Sequence, residues 1–385
     1  MSPVSRKEYV QAIVERYHQA GRKEKQRILD EFCRICGYHR KHAIRKLATA
    51  RKRAVGRRKP GRPSRYAKPE ILAVLRCIWS TAHYPCSKRL TAILACWMPP
   101  YEHTFGLVAP WVKEALAKIS PSTIDRLLVH ERLRVKRKGL STTKPGTLLK
   151  QHIPIKTNQW DETRPGFLEA DTVAHCGDSM AGQFVFSLDM TDIATGWTEQ
   201  RAIWGKGEIG VLEQIKDVEA SLPFELRGFD SDNGGEFLNY HLLRHFTDNR
   251  KSPIQFTRSR AYKKDDNAHI EQKNYTHVRQ KLGYRRFDNP KITDLLNDLY
   301  KYEWRLYHNF FLPSVKLIEK ERLRSKVVKK HDKPKTPYQR VLDADSIDVS
   351  IPAKHKLTQL FQDLNPFDLK KIIDKKIDKI LSLAS

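Results

Sequence analysis

Cysteine is scarce in this chain: six in 385 residues, scattered along its length. So few and so dispersed, they read as reduced thiols and argue against a disulfide framework. Long apolar runs are missing too. The longest, Leu90 to Met98, is about half the roughly 20 residues that span a bilayer and includes Thr91 and Cys96. No membrane partner is therefore expected. Ser2-Pro3-Val4-Ser5-Arg6-Lys7 has no hydrophobic region behind it, which speaks against a secretory signal. The third shortage is acid. Asp and Glu total 44 against 72 Lys and Arg, a net charge of +28. Such an excess says little about fold and much about partners, which should be polyanions, double-stranded DNA first. With 39% hydrophobic residues the chain can build cores, and its length allows two or three domains.

The charge is uneven. Residues 1–150 carry 34 basic and 10 acidic side chains, residues 251–385 carry 30 and 17, and residues 151–250 carry 8 and 17. An acidic island in a basic protein is either an ordinarily charged domain between DNA-binding ones or a place where carboxylates meet phosphate across a metal ion.

The first 50 residues are expected to be helical. Val10, Ile13, Val14 and Tyr17 recur at helical spacing, as do Ile28, Leu29 and Phe32. A turn at Cys36-Gly37-Tyr38-His39 then leads into a basic run with Arg40, Lys41 and Arg45, the layout of a helix-turn-helix reader. Cys33, Cys36, His39 and His42 are too closely spaced for a zinc finger and are read as turn and helix residues. Residues 51–65 hold eight basic residues, among them Arg57, Arg58 and Arg62, and form a linker suited to DNA phosphates. Gly61-Arg62-Pro63 could enter an A·T minor groove, though a solvated linker is the plainer reading. A second helical block starts at Pro69, and Ser120-Pro121 reads as a capped helix start.

From Pro165 the period changes. Strands are expected at 167–173, 183–190, 197–204, 224–229 and 254–257, with helices at 208–222, 236–246, 267–282 and 292–307. This is a mixed five-stranded sheet with flanking helices. Asn365-Pro366 opens a helix with Leu369, Ile372, Ile373, Ile377, Ile380 and Leu381 on one stripe, suited to internal packing or to assembly. The expected organisation is 1–50 helix-turn-helix, 51–66 basic linker, 67–138 second helical DNA-binding domain, 139–164 linker, 165–310 sheet domain and 311–385 basic C-terminal region.

Three carboxylates stand out. Asp171 lies in the first strand, Asp232 just after the fourth, and Glu271 on a helix that Asp266 can cap. Hard oxygen ligands from separate elements suit Mg²⁺ or Mn²⁺, and two such ions can serve the attacking and leaving oxygens of a phosphodiester. Glu169 and Asp230 are the local rivals, each two positions away on the same strand face. His175 and His269 are read as structural. Around the site, Arg258, Arg260, Lys263, Lys264 and Lys273 could track DNA phosphates.

The segments Leu168-Glu169-Ala170-Asp171-Thr172, Asp230-Ser231-Asp232-Asn233-Gly234-Gly235-Glu236-Phe237 and Tyr262 to Asn274 resemble the bacterial insertion-sequence transposases whose core is similar to retroviral integrase. The resemblance covers roughly residues 166–309. It implies a ribonuclease H-like core behind all-α helix-turn-helix domains, with Asp171, Asp232 and Glu271 as a triad holding two Mg²⁺ or Mn²⁺ ions. The 38 residues between Asp232 and Glu271 exceed the usual interval and imply an extended loop. The implied function is a DNA transposase that binds element ends, cleaves, and joins 3′-hydroxyl ends to target DNA. It would work as a homo-oligomer on DNA, in the bacterial cytoplasm at the nucleoid. The alternatives are a non-catalytic helix-turn-helix regulator, which leaves the carboxylates unexplained, and a metal nuclease of the same fold.

Overall fold

A computed structural model describes residues 3–54, 65–135, 162–231, 236–237, 239–248, 250–258, 270, 273–323 and 326–384. The chain forms two compact units, Met1–Ser64 and Arg65–Ser385.

In the first unit, helices α1 (Pro3–Gln19), α2 (Arg22–Cys36) and α3 (Arg40–Ala54) close on one small core. Val10, Ile13, Ile28, Leu29, Phe32, Ala43 and Leu47 fill it, the spacing the sequence prescribes. Gly37 ends α2 in the left-handed region (φ 68°), which a side chain would oppose, and its amide donates to the Cys33 carbonyl. Because Ala43 and Leu47 point inward, Arg40, Lys41 and Arg45 lie on the exposed side of α3.

The second unit begins with five helices: α4 (Pro69–Thr81), α5 (Ser87–Phe105), α6 (Pro110–Ala117), α7 (Pro121–Leu127) and α8 (Val129–Val135). Ser120 caps α7 as expected, its hydroxyl accepting from the Thr123 amide. The sheet follows, with β1 (Phe167–Ala174), β2 (Val185–Asp192), β3 (Thr198–Trp204), β4 (Gly228–Ser231) and β5 (Gln255–Arg258). Its order is β3-β2-β1-β4-β5; β1 to β3 pair antiparallel, and β4 and β5 join β1 in parallel. Helix α9 (Glu208–Ser221) links β3 to β4, and α10 (Tyr240–Phe246) lies between β4 and β5. This order, with helices on both faces, is the ribonuclease H-like α/β architecture.

β4 starts at Gly228 and not at Phe224. A Cβ at position 228 would come within 2.3 Å of the Phe167 ring, so only glycine lets the strand approach β1 there. The free edge of β3 is covered by side chains acting as a sixth strand. Asn297 pairs with both backbone groups of Ala202 and Asn309 with both of Thr198, at 2.8 to 3.0 Å.

The helices at 69–127 and the C-terminal helices share the sheet's core and do not form a separate second domain. Trp97 of α5 stacks edge-on against Phe311 and Phe367 and donates its indole N–H to the Phe311 carbonyl. Behind the core, an antiparallel hairpin of β6 (Leu317–Leu323) and β7 (Lys326–His331) appears where no strands are expected. The helix Pro366–Ser382 is capped by Asn365 and buries Leu369, Ile373, Ile377 and Ile380, while Ile372 stays exposed. Among the described residues no helix is long and apolar enough to cross a membrane.

Candidate active site

Alternation along a strand sends Leu168 and Ala170 of β1 to one face of the sheet and Glu169 and Asp171 to the other. Register carries the pattern across. Asp171 stands opposite Asp189, which stands opposite Gln200, while Glu169 stands opposite both Thr191 and Asp230. Ser187, Asp189, Thr191, Thr198, Gln200 and Asp230 are all buried, so this face is a polar layer under helices.

Most of these groups are spoken for. Glu169 accepts the Ile270 amide at 3.1 Å, and Asp230 accepts the Thr257 hydroxyl. Ser187 bridges His175 and Tyr300 at 2.8 and 2.7 Å. His175 also stacks on Phe287, and burial pushes its imidazole down to about 3, so it is a neutral packing group. At the far end of β2, Asp192 ties down a turn by accepting from the Gly166 amide and from Thr195. Burial raises its carboxyl above the usual range.

Asp171 is held from two sides. Its Oδ1 accepts the Thr172 amide at 2.7 Å, and its Oδ2 accepts Nδ2 of Asn274 at 2.6 Å. Asn274 opens a π-helical stretch, Asn274–Arg279, a form often found at functional sites. Asp232 and Glu271 lie outside the described residues, as do His269, Arg57, Arg58, Arg62, Arg260, Lys263 and Lys264 and the side chain of Arg258. Of the residues described nearest to them in sequence, Ser231 is paired with Ala170, Ile270 donates its amide to Glu169 and Asn274 donates its Nδ2 to Asp171.

Two carboxylates near Asp171 were not foreseen. Glu236 is buried and accepts from the Thr172 hydroxyl and the Lys206 ammonium. Burial opposes ionisation there, yet the Lys206 hydrogen bond holds Glu236 below its usual range. Asn239 donates to the Glu236 carbonyl while capping α10. The second is Asp189. It is fully buried, and neither of its oxygens has a well-formed hydrogen bond. Burial pushes its carboxyl up to about 8; the Gln200 side chain, as a nearby donor, opposes the shift and the Asp171 charge adds to it. A lone acid inside Val185-Phe186-Ser187-Leu188-Asp189-Met190 was the sequence signal for it.

Lys273, expected on a phosphate track, lines a cavity of about 130 Å³ with His83, Arg89, His277 and His308. Burial, with Arg89 nearby, pushes its ammonium down to about 8. Among the described residues no three His, Cys, Asp or Glu side chains come together as metal ligands; two of the three expected ligands lie outside them.

No protein-family model matches the chain. The uncharacterized protein y4rM of Sinorhizobium fredii (strain NBRC 101917 / NGR234) is 38% identical over 347 residues, 88% of this chain and 96% of that protein. Among solved structures, the catalytic core domain of BIV integrase aligns at a TM-score of 0.28 and 13% identity, over 45% of this chain and 91% of that one. The HTLV-2 integrase catalytic core domain in complex with magnesium gives the same score and identity, over 39% and 91%. Likenesses this faint add nothing to the strand order, which carries the fold assignment alone.

Proposed function

We propose that this chain, which belongs to the same family as y4rM, is a DNA transposase with an integrase-like catalytic core. It would bind the ends of a DNA element, cut there, and join the 3′-hydroxyl ends to target DNA. In the joining step a 3′-oxygen bonds to a target phosphorus while that phosphorus releases its own 3′-oxygen, so no bond energy source is needed.

The observation that carries this reading is the convergence on β1. Ser231, Ile270 and Asn274, the described neighbours of the expected ligands, pair with Ala170, Glu169 and Asp171 in turn. Asp171, joined by Asp232 and Glu271, would offer the hard oxygen ligands that suit divalent cations such as Mg²⁺ or Mn²⁺. The buried oxygens of Asp189 and Asn274 Oδ1, none with a well-formed hydrogen bond, fit the same ligand chemistry. Such ions, when bound, stabilise charge on the attacking and leaving oxygens. Asp171, Asp232 and Glu271 would hold them, with Asn274 and the Thr172 amide keeping the Asp171 carboxylate oriented. Glu169, which accepts the Ile270 amide, would position that backbone rather than meet the substrate.

DNA would be taken by cations that carry no sequence information on their own: Arg40, Lys41 and Arg45 on the exposed side of α3, then Arg57, Arg58 and Arg62, and Arg258, Arg260, Lys263 and Lys264 nearer the core. Holding two ends at once calls for more than one copy of the chain.

The test is Asp171→Asn assayed on labelled element ends with Mg²⁺. DNA binding should persist while joining of a pre-cut 3′-hydroxyl end falls by roughly three orders of magnitude or more, the size of loss typical when a catalytic-site group is removed. A regulator would be indifferent to the change. A nuclease would lose cutting but show no joined product even as wild type.

A further inference from the structure

Asp189 lies on β2 directly opposite Asp171 of β1. Directly opposed residues of antiparallel strands share a face, with Cβ atoms about 4.5 to 5.5 Å apart. Asp189 is 0% exposed, and no well-formed hydrogen bond reaches either of its oxygens. Asn274 also meets Asp171. Its Nδ2 is committed to Asp171, which fixes the amide orientation, and its Oδ1 is buried without a partner. Two residues that adjoin Asp171 thus carry three acceptor oxygens that no well-formed hydrogen bond reaches.

The nearby donors serve them poorly. Gln200 faces Asp189 from β3 and its side chain acts on the carboxyl as a donor, yet its Nε2 forms no well-aligned hydrogen bond. Lys273 is the cation whose field reaches Asp189, but its Nζ turns to the Gly196 carbonyl at 3.5 Å and no ion pair joins the two. A buried carboxylate with one poorly aligned donor and no paired counter-ion is disfavoured, so a group that supplies positive charge fits this place. Anionic and neutral oxygens together, with no sulfur or imidazole among them, suit Mg²⁺ or Mn²⁺.

We infer that Asp189 is a fourth carboxylate of the cation site, sharing a divalent ion with Asp171, with Asn274 Oδ1 beside it. This rests on the reading that Asp171 is itself a cation ligand. Asp189 would then charge-balance the ion from β2, a central strand of the sheet.

The experiment titrates the metal-free full chain with Mn²⁺ alone, in the absence of DNA, by calorimetry and by the Mn²⁺ electron paramagnetic resonance signal. Asp189→Asn, isosteric and uncharged, should weaken Mn²⁺ binding at least tenfold and shrink the rise in melting temperature that Mn²⁺ produces. Asp189→Ser should do the same, so that a folding defect in either variant leaves the other to decide. Wild-type affinity and stoichiometry in a folded Asp189 variant would overturn the inference. Asp171→Asn separates the two levels. If it abolishes Mn²⁺ binding and the Asp189 variants do not, only the fourth ligand fails; if it too binds as wild type, the site reading itself is wrong.

Discussion

Arg201 and Asp189 are both buried charged side chains, on adjoining strands and opposite faces of the sheet, and their surroundings could hardly differ more. Arg201 is 1% exposed, and its guanidinium donates to Asp217, Glu199, the Gln200 carbonyl and Ser221. Asp217 is itself held below its usual range by Arg201 despite partial burial. Asp189 has only the Gln200 side chain and the field of Lys273 to ease its charge, and no well-formed hydrogen bond. A structural ion pair is built to be complete within the fold, because any unmet N–H or carboxylate in low dielectric is penalised. A group left incomplete within the fold is completed by something outside it, and the contrast between these two residues separates scaffold from site.

The comparison breaks most visibly at Arg201. Arg201→Met strands Glu199, which is 0% exposed and keeps only Arg305 and the Trp197 indole. Removing one partner of a buried pair costs about 3 to 5 kcal/mol. Urea unfolding of the metal-free chain should show that loss. A change below about 1 kcal/mol would mean the network is not a structural one. Asp189→Asn should move the other way. Relieving a buried, poorly partnered carboxylate is expected to stabilise the metal-free chain by about 1 to 3 kcal/mol, read from the same urea curves. Destabilisation would show that Asp189 is satisfied in the apo fold.

Histidines sharpen the contrast through pH. His175, His277 and His308 are buried, and burial holds all three well below the ordinary 6.5, His175 at about 3. His277 and His308 stack at 4.0 Å with His83, Lys273 and Arg89 around the same cavity and Lys281 nearby, so added protons meet only like charge. The unfolded chain takes up protons below 6.5 while the folded chain does not. Stability is therefore full above that pH and falls as the pH drops. At pH 5.5 each histidine should cost about 1.4 kcal/mol. Asp189 works against this slope, because its carboxyl is raised, so the measurement belongs in the Asp189→Asn background. A flat profile there between pH 7.5 and 5.5 would mean the histidines are charged in the fold.

Much of this was legible in the sequence, for reasons that are local. β1, β3 and α9 follow from alternation and helical spacing, and so does the place of Asp171 inside β1. What escaped depends on distant partners. Phe224 and Leu226 are apolar enough to read as strand, but they are buried beside β1 in a connection, and pairing begins only where Gly228 admits Phe167. The hairpin of β6 and β7 hid in a charged stretch because both its faces are largely exposed and carry no alternating apolar signal. That α4 to α8 share the sheet's core rests on Trp97 meeting Phe311 and Phe367, residues more than two hundred positions away. Asp189 was missed for the same reason: one acid in an apolar strand means nothing until register sets it opposite Asp171.

Glu236 is the intermediate case, and the smallest effect is expected there. It is buried, but its partner Lys206 is 45% exposed, so water and salt screen the pair. Glu236→Gln keeps an oxygen for the Thr172 hydroxyl and gives up only the charge. The cost should be about 0.5 kcal/mol, shrinking further in 1 M salt. Glu236→Ala removes the Thr172 hydrogen bond as well and should cost about 1 kcal/mol more. Thr172 adjoins Asp171, so the alanine variant should also slow joining of pre-cut ends while the glutamine variant stays near wild type. A loss above about 2 kcal/mol for Glu236→Gln would place this pair with Arg201, as scaffold completed inside the fold. Equal joining by both variants would cut the link between the segment after β4 and the orientation of Asp171.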